Sequence, residues 1–500
     1  MLQKTSIFPL KELSNCLWKW FNKYARAWGN RKTYSILLIS ASLQIHCIKG
    51  KAQDALGIAG SSRAPVNTAY FNPASICDSR AFLDIELAGL DAFIQNNLLY
   101  IPKEQYSPRN FSNIGDPGIN KRPKTYYAKA QTHIRGPSFV ANFKQHAVGI
   151  QTGASILFDA RKLPNPFNFI LTNDIDIQPQ FGTNEVARNM KISAMAYGYV
   201  GLSYATIYRR WDKSILQLGA NVRRLFSPGA GSFRVDRWNY VLRADSSLFT
   251  SDIKGEAGIS IPGEKIISGK GWGIDLGATW KVRSKGSEHY TPWNPCTDGD
   301  YLYKISLALL DVGGLWFKKP YYRYEFDVSS GSVFNNDPNV DWSNPDSASA
   351  ALSSLGITEK NKRKKIFFHL PTALSGQFDY KVIDRVYVMG ALTWGFPRNN
   401  SLGIQRASYC AIVPRWESKI VELSLPLTFY EFKKPMLGVG IRIFNFIIGS
   451  DYLSPLLFNG DLYGSHIYCH LKICLFKHPG CSDKKQHRKH ATPPPCEDFK

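Results

Sequence analysis

From about residue 81 to residue 476 the chain repeats one pattern in short segments: apolar and polar side chains alternate at every second position. Ile467, Cys469, Leu471, Ile473 and Leu475 alternate with His466, Tyr468, His470, Lys472 and Cys474. Val421, Leu423, Leu425, Leu427 and Phe429 do the same against Glu422, Ser424, Pro426, Thr428 and Tyr430. So do Trp272, Ile274, Leu276, Ala278 and Trp280 against Gly271, Gly273, Asp275, Gly277 and Thr279. Successive side chains of a strand point to opposite faces, so each segment predicts a strand with one greasy face and one wet face. Read along the chain, the pattern predicts strands near 81–100, 138–144, 146–158, 192–208, 214–225, 232–244, 271–282, 302–317, 319–328, 373–381, 385–396, 404–414, 418–429, 436–448 and 466–476. No stretch reaches the roughly 18 uninterrupted apolar residues of a spanning helix. A soluble sandwich and a closed membrane barrel both fit the rhythm taken alone, because a barrel strand turns only every second residue to lipid.

The connections favour the barrel. Lys144-Gln145 and Ile383-Asp384 suit tight hairpin turns, whereas 101–137, 159–190, 283–300 and 329–365 are long and polar. Several structureless loops of that size are unusual in a sandwich, but outer-membrane barrels combine long extracellular loops with short periplasmic turns. Within 329–365, Asp346 or Ser347 is positioned to cap a short helix carrying Ala348, Ala350, Ala351, Leu352 and Leu355. The wet faces point the same way. Gln217, Gly219, Asn221 and Arg223 stand opposite Leu216, Leu218, Ala220 and Val222, and Gly438, Gly440 and Arg442 opposite Leu437, Val439 and Ile441. Bulk water would favour long Lys and Glu there; small and glycine-rich positions suit a concave lumen packed against an internal plug. Arg223, Asp275 and Arg442 are therefore candidate lumen-facing charges. Aromatic residues near strand ends, among them Trp211, Trp280, Trp316, Trp394 and Phe429, are placed to form girdles at the two lipid boundaries.

The N-terminus adds an address. Arg31 and Lys32 precede the apolar run Tyr34 to Leu43, whose length suits a secretory signal and is too short to span. Cleavage after Gln53 is expected; His46, bulky where a small residue is wanted, argues against acylation of Cys47. The net charge of +23 falls to +15 once residues 1–53 are removed. That excess is spread over loops and tail with no nucleic-acid-binding signature, so lipopolysaccharide phosphates and outer-membrane lipids are the expected contacts and nucleic acid is not. Seven cysteines remain, none in a Cys-x-x-Cys pair, and no disulfide scaffold is expected. In the basic, proline-containing tail from His478 to Lys500, Cys481, His487, His490 and Cys496 match no common zinc spacing. The tail composition predicts disorder.

A family resemblance runs through the same residues. Asp54-Ala55-Leu56-Gly57, Tyr70-Phe71-Asn72-Pro73-Ala74, Gly271 to Ala278, Ser306 to Gly313, Leu370 to Ser375, and Gly449-Ser450-Asp451 through Tyr463-Gly464 occur in an order similar to that of a Bacteroidetes-type family of outer-membrane barrels related to the long-chain fatty-acid transporter. The resemblance covers about residues 54–477. In the transporter relatives the Asn-Pro-Ala segment belongs to a hatch folded into the lumen, which makes Asn72, Pro73 and Ala74 gate candidates here. Pro73 fixes its own φ and disfavours helix at Asn72, so a stiff turn is expected on physical grounds as well. The tail beyond Phe476 departs from the family pattern of ending on an aromatic strand.

The sequence thus predicts an all-β protein: a closed antiparallel transmembrane β-barrel of about 14 strands with long extracellular loops, placed in the bacterial outer membrane. Residues 1–53 form the signal, 54–80 an N-terminal lumenal plug, 81–477 the barrel and 478–500 the tail. No nucleophile elbow, zincin helix, Walker loop or dinucleotide fingerprint appears, so no catalytic residue, metal or cofactor is assigned. His466 and His470, sharing one face of the last strand, are more simply lumen-packed than catalytic. A passive channel or transporter-like protein for small or hydrophobic solutes, gated by the plug, is the expected function. The alternative is a non-transporting accessory barrel whose partner is a secretion-system protein.

Overall fold

The computed structural model describes residues 55–475 except 62, 79–81, 106–116, 121–122, 124, 144, 165–181, 183, 212, 243–247, 261–265, 284–300, 319–320, 329–331, 335–357, 360–364, 398–400, 419 and 459. The expected signal, the helix near 346–355 and the tail lie outside the described residues. Helix among the described residues is limited to α1 (Leu56–Ala59), α2 (Pro65–Thr68), a 3-10 turn (Pro73–Asp78) and α3 (Ser454–Leu457).

The strands in chain order begin with β1 (Leu83–Asn96), short β2 (Leu99–Tyr100) and β3 (Gly118–Ile119), β4 (Thr125–Arg135), β5 (Ser138–Phe143) and β6 (His146–Pro164). Then come β7 (Asn184–Arg210), β8 (Ser214–Leu242), β9 (Leu248–Ser260), β10 (Gly269–Arg283), β11 (Tyr301–Lys318), β12 (Tyr322–Val328), β13 (Ser332–Phe334) and β14 (Thr358–Glu359). β15 (Lys365–His369), β16 (Ala373–Ile383), β17 (Val386–Gly395), β18 (Tyr409–Glu417), β19 (Val421–Ser424) and β20 (Leu427–Tyr430) follow. The chain closes through β21 (Lys434–Leu437), β22 (Val439–Ile443), β23 (Phe446–Ser450) and β24 (Gly464–Leu475).

Pairing runs in a complete circle. β1 bonds β24 on one side and β4 with β5 on the other. β6, β7, β8, β10, β11, β16, β17 and β18 continue the wall, and β19 to β23 return it to β24. With the interrupted staves β4/β5, β15/β16, β19/β20 and β21/β22 each taken as one, the barrel has 14 antiparallel strands. Closure leaves the wall no unpaired edge, which is what a sheet surrounded by lipid requires.

The strand expected at 418–429 is two, β19 and β20, and strand reaches into the loops expected over 159–190 (the ends of β6 and β7) and 329–365 (β13 and β14); four further differences have a visible reason. The loop predicted over 101–137 contains β4. Its lumen side carries Lys129, Gln131, His133 and Arg135, but the other side only Ala128, Ala130, Thr132 and Ile134, too weakly apolar to show the rhythm. The strands predicted at 214–225 and 232–244 are one strand, β8, which runs through Pro228. That residue falls where β8 changes partner, between Ser227 opposite Gly269 of β10 and Ala230 opposite Ser260 of β9, so its missing N–H breaks no ladder. The weakly patterned β9 has no counterpart among the expected strands; with β12 it extends the sheet beyond the wall alongside the Ala230–Leu242 part of β8. The single strand predicted at 436–448 is a hairpin, turned at Phe444-Asn445 with Phe444 in the left-handed region at φ 50°. Strand direction also separates the long connections. β10 ends and β11 begins at the rim where β7 ends and β8 begins, whereas β1, β6 and β13 end at the opposite rim.

The two faces of the wall differ sharply. Outside, Leu202, Leu276, Leu307 and Ile412 are exposed, bounded near one rim by Trp272, Trp316 and Trp394 and near the other by Trp280, Tyr208 and Trp416. Trp272 and Trp280 lie eight residues apart on β10, about 27 Å along the strand at ~3.4 Å per residue. With a strand tilt of roughly 40° this approaches the apolar band of about 25 Å that outer-membrane barrels present to lipid. The inward positions of the same strands are buried and largely polar or charged.

Candidate functional site

The inner face is built by the same two-residue period that builds the outer one. On β24 the inward residues His466, His470 and Lys472 face the carboxylates of β1: His466 Nε2 lies 3.4 Å from Asp91, His470 Nδ1 2.7 Å from Glu86 and Lys472 Nζ 2.8 Å from Asp84. These three rungs mark the seam where first and last strands meet. Farther round, Arg223 of β8 donates Nη2 to Asp275 of β10 at 2.7 Å and to Asp311 of β11 at 2.8 Å, and Arg406 reaches the other Asp311 oxygen at 2.9 Å. Asp311 sits at φ 53°, and its N–H donates to Asp275 at 2.7 Å. On the far wall Arg415 of β18 binds both Asp379 oxygens, at 2.9 and 2.8 Å, and donates to Glu417 at 2.7 Å and to the Tyr301 hydroxyl at 2.6 Å. Arg442 of β22 pairs with Glu422 of β19 at 3.0 Å. Charges this deeply buried are tolerable only when paired and hydrogen-bonded, which is the arrangement found.

The segment 55–78 occupies this charged interior. Leu56, Ile58, Val66 and Ile76 are buried, and its polar contacts reach staves all round the barrel. Leu56 N–H donates to Asp451 at 2.7 Å, Val66 N–H to Asp84 at 3.0 Å, Asn67 Nδ2 to Glu86 at 2.9 Å and Ser61 Oγ to Glu422 at 2.8 Å. Asn221 Nδ2 donates to Ala69 O at 3.0 Å, and Tyr199 OH to Tyr70 OH at 3.1 Å. At its end Asp78 is clamped by Lys281 and, at 3.3 Å, by Lys304. Burial alone would push the Asp78 carboxyl up, but the two ammonium groups hold it below the usual carboxylate range. Burial pushes the Cys77 thiol up to about 12, so it is a packed, unreactive thiol. Asp451, just beyond β23, is pushed up to about 6 by burial, with His466 and the N–H groups of Leu56 and Gly57 opposing.

The residues singled out from the sequence fall into three places. Asn72 accepts the Ala74 N–H at 2.9 Å and donates to Thr279 Oγ1 at 3.0 Å and Ala278 O at 3.2 Å, so the Asn72-Pro73-Ala74 turn is fixed to β10. Arg223 and Asp275 are bonded to one another, and Arg442 lies in the separate Glu422 pair. His466 and His470 are both engaged by carboxylates of β1, with Asp451 N–H donating to His466 Nδ1 at 2.8 Å. Sequence reasoning passed over Asp311, Asp379, Arg415, Glu422 and the acidic row Asp84, Glu86 and Asp91. Their common signal is a charge at an inward position of an alternating strand.

The class of protein these features define is a closed barrel with an apolar outer band and a charge-lined interior, to whose inward residues the segment 55–78 is bonded. The chain belongs to the family of unknown function DUF5723, whose profile matches residues 73–451. No curated protein matches the sequence. Among solved structures the chain is similar to the toluene transporter TodX of Pseudomonas putida, at 12% identity over 85% of this chain and 96% of that one, with a TM-score of 0.39. It is likewise similar to the monoaromatic hydrocarbon channel CymD, at 10% identity over 86% and 98% of the two chains with a TM-score of 0.37. For a FadL homologue of Pseudomonas aeruginosa the values are 9%, 85%, 98% and 0.29. At such scores the fold assignment rests on the circular strand pairing itself.

Proposed function

We propose that this protein is an outer-membrane channel or transporter-like barrel through which small solutes diffuse when the segment 55–78 moves, with no nucleotide and no catalytic step. The observation that supports the reading is the segment's attachment: it is bonded to β1, β8, β10, β11 and β19 and to Asp451 at once, across the interior of a wall whose outside is apolar. A passage through the interior is crossed by that segment. Attachment through a few hydrogen bonds and ion pairs, and not through a continuous sheet, lets it be displaced without opening the wall. An interior carrying Arg223, Arg415, Arg442 and their carboxylates favours small polar solutes over apolar ones, because an apolar solute offers these groups no partner.

Planar bilayers containing purified protein test the reading. Deletion of residues 55–77 is expected to raise conductance or liposome permeability to small solutes severalfold, and identical permeability of parent and deletion barrels would overturn it. The sheet that β9 and β12 add beside the Ala230–Leu242 part of β8 offers a surface beyond the wall. Stable co-purification with a secretion complex, together with unchanged permeability, would favour the accessory role instead.

A further inference from the structure

A cavity of about 50 Å³ lies between Tyr70 of the N-terminal segment and the wall. Six of the residues around it matter here: Tyr70, Arg135 of β4, Arg223, Asp275, Asp311 and Arg406. We propose that this cavity is a binding site for a small monovalent anion of about the size of a halide or nitrate.

Three observations carry the proposal. The first is a surplus of donors. Nε and Nη1 of Arg135 and Nε of Arg223 are buried without a hydrogen-bond partner, in side chains 5% and 8% exposed. A buried guanidinium N–H left unpaired is costly, so several such groups around one space point to an acceptor that occupies it. The second is that the two carboxylates lining the cavity are already used. Asp275 receives Arg223, Asn221 and the Asp311 N–H, and Asp311 receives Arg223 and Arg406. Two further carboxylates stand near Arg135 outside the cavity lining: Asp91, 3.4 Å from Nη2 and shared with His466, and Glu86, whose Oε1 takes Asn67 and His470 and whose Oε2 makes no hydrogen bond to Arg135. Three guanidinium groups and two carboxylates line the cavity itself.

The third observation is geometric. The Tyr70 ring lies over the Arg135 guanidinium, 3.9 Å from ring centre to Cζ, so one face of the cation is covered and only its in-plane N–H groups remain for a ligand. The volume holds a few water-sized bodies at ~10–15 Å³ each. It therefore admits a halide or nitrate with an attendant water and excludes an acyl chain. Because Tyr70 belongs to the N-terminal segment and both arginines to the wall, a bound anion bridges the two.

Bromide is the probe. Crystals of the full-length protein grown in bromide should show an anomalous peak in the cavity, in contact with Arg135 and Arg223. In solution, bromide titrated against gluconate at constant ionic strength should raise the unfolding temperature of the parent protein. Arg135→Gln should weaken the apparent bromide affinity at least tenfold, and Arg135→Lys, which keeps the charge with fewer donors, should weaken it less. If Arg135→Gln does not fold, the comparison of parent with Arg135→Lys and the crystallographic peak decide. Density that refines as water alone in bromide-grown crystals, or a bromide response identical in parent and variants, would overturn the proposal. Neither readout involves conduction, so this result and the channel reading stand or fall separately.

Discussion

Gly219 of β8 and Gly277 of β10 stand directly opposite each other in the wall, and the turn Asn72-Pro73-Ala74 lies on the flat patch the pair creates. A Cβ at Gly219 would fall 2.5 Å from Ala74 N and from Pro73 C, and one at Gly277 2.0 Å from Asn72 Oδ1. The obstruction at Gly219 is backbone on both sides, so neither partner can swing away. Gly219→Ala is expected to cost the docked segment about 1–3 kcal/mol, in the range of an overpacked contact. Because the added methyl points inward, the barrel should remain folded on heat-modifiability gels while protease sensitivity near residue 72 and permeability both rise. Unchanged proteolysis would show that the turn is not held there.

Arg415 makes the second junction, and its removal has a different signature. The residue binds Asp379 and Glu417 in a site where all three side chains are at most 2% exposed. Arg415→Met would leave two buried carboxylates with one fewer cation, an effect of about 3–5 kcal/mol by analogy with broken buried pairs. A double change, Arg415→Met with Asp379→Asn, should recover a substantial part of that loss. Urea unfolding in detergent micelles measures both; an undiminished loss in the double variant would mean that packing, and not unpaired charge, dominates at Arg415.

The outer wall was legible in the sequence because lipid imposes a simple rule, an apolar residue at every second position, which Trp272 to Trp280 and Ile467 to Leu475 obey. β4 escaped because Ala128 and Ala130 satisfy the same rule too faintly, and β8 was divided because Pro228 reads as a breaker unless the change of partner at Ser227 is known. The inward charges were visible one at a time. That Arg223 meets both Asp275 and Asp311, or that Gly219 faces Gly277, depends on register between strands far apart in the chain. Register emerges from the closed set of pairings, which local periodicity does not encode. The hairpin at Phe444-Asn445 was hidden for another reason: an aromatic residue in the left-handed region carries no turn signature.

Asp451 links the N-terminal segment to pH. Its carboxyl receives Leu56 N–H at 2.7 Å, and burial raises it from an ordinary value near 3.8 to about 6. A raised carboxyl means that between about pH 4 and pH 6 the folded protein holds a proton that the unfolded chain has released. This group's contribution is therefore most favourable at low pH and is lost as pH rises through 6. Raising a carboxyl that far is worth roughly 3 kcal/mol at most. Asp451→Asn, which keeps a carbonyl acceptor for Leu56 and has no charge to bury, should be at least as stable as the parent at pH 8 and should flatten the stability profile between pH 4 and 6. A parent profile with no slope in that window, or one that Asp451→Asn leaves unaltered, would remove Asp451 as its source.

Leu276 tests the assignment of the outer face to lipid. It lies midway between Trp272 and Trp280 on β10, is 50% exposed, and neighbours the outward side chains of Ala220 and Leu309 across the two adjoining strands. On a protein surrounded by water, an arginine at a half-exposed strand position changes stability by about 0.5 kcal/mol or less. At the middle of a bilayer the same side chain must bring its charge into hydrocarbon or bend back to an interface, at a cost of about 2–4 kcal/mol. Leu276→Arg should therefore reduce spontaneous folding into liposomes by a factor of roughly 30 to 800, the equilibrium equivalent of that range. The same substitution at Ile266, exposed between β9 and β10 near the rim marked by Trp272, should have a much smaller effect because lipid headgroups and water are close at hand. Equal tolerance at both positions would mean that no hydrocarbon layer surrounds Leu276, and the alternation along β10 would then describe a surface in water.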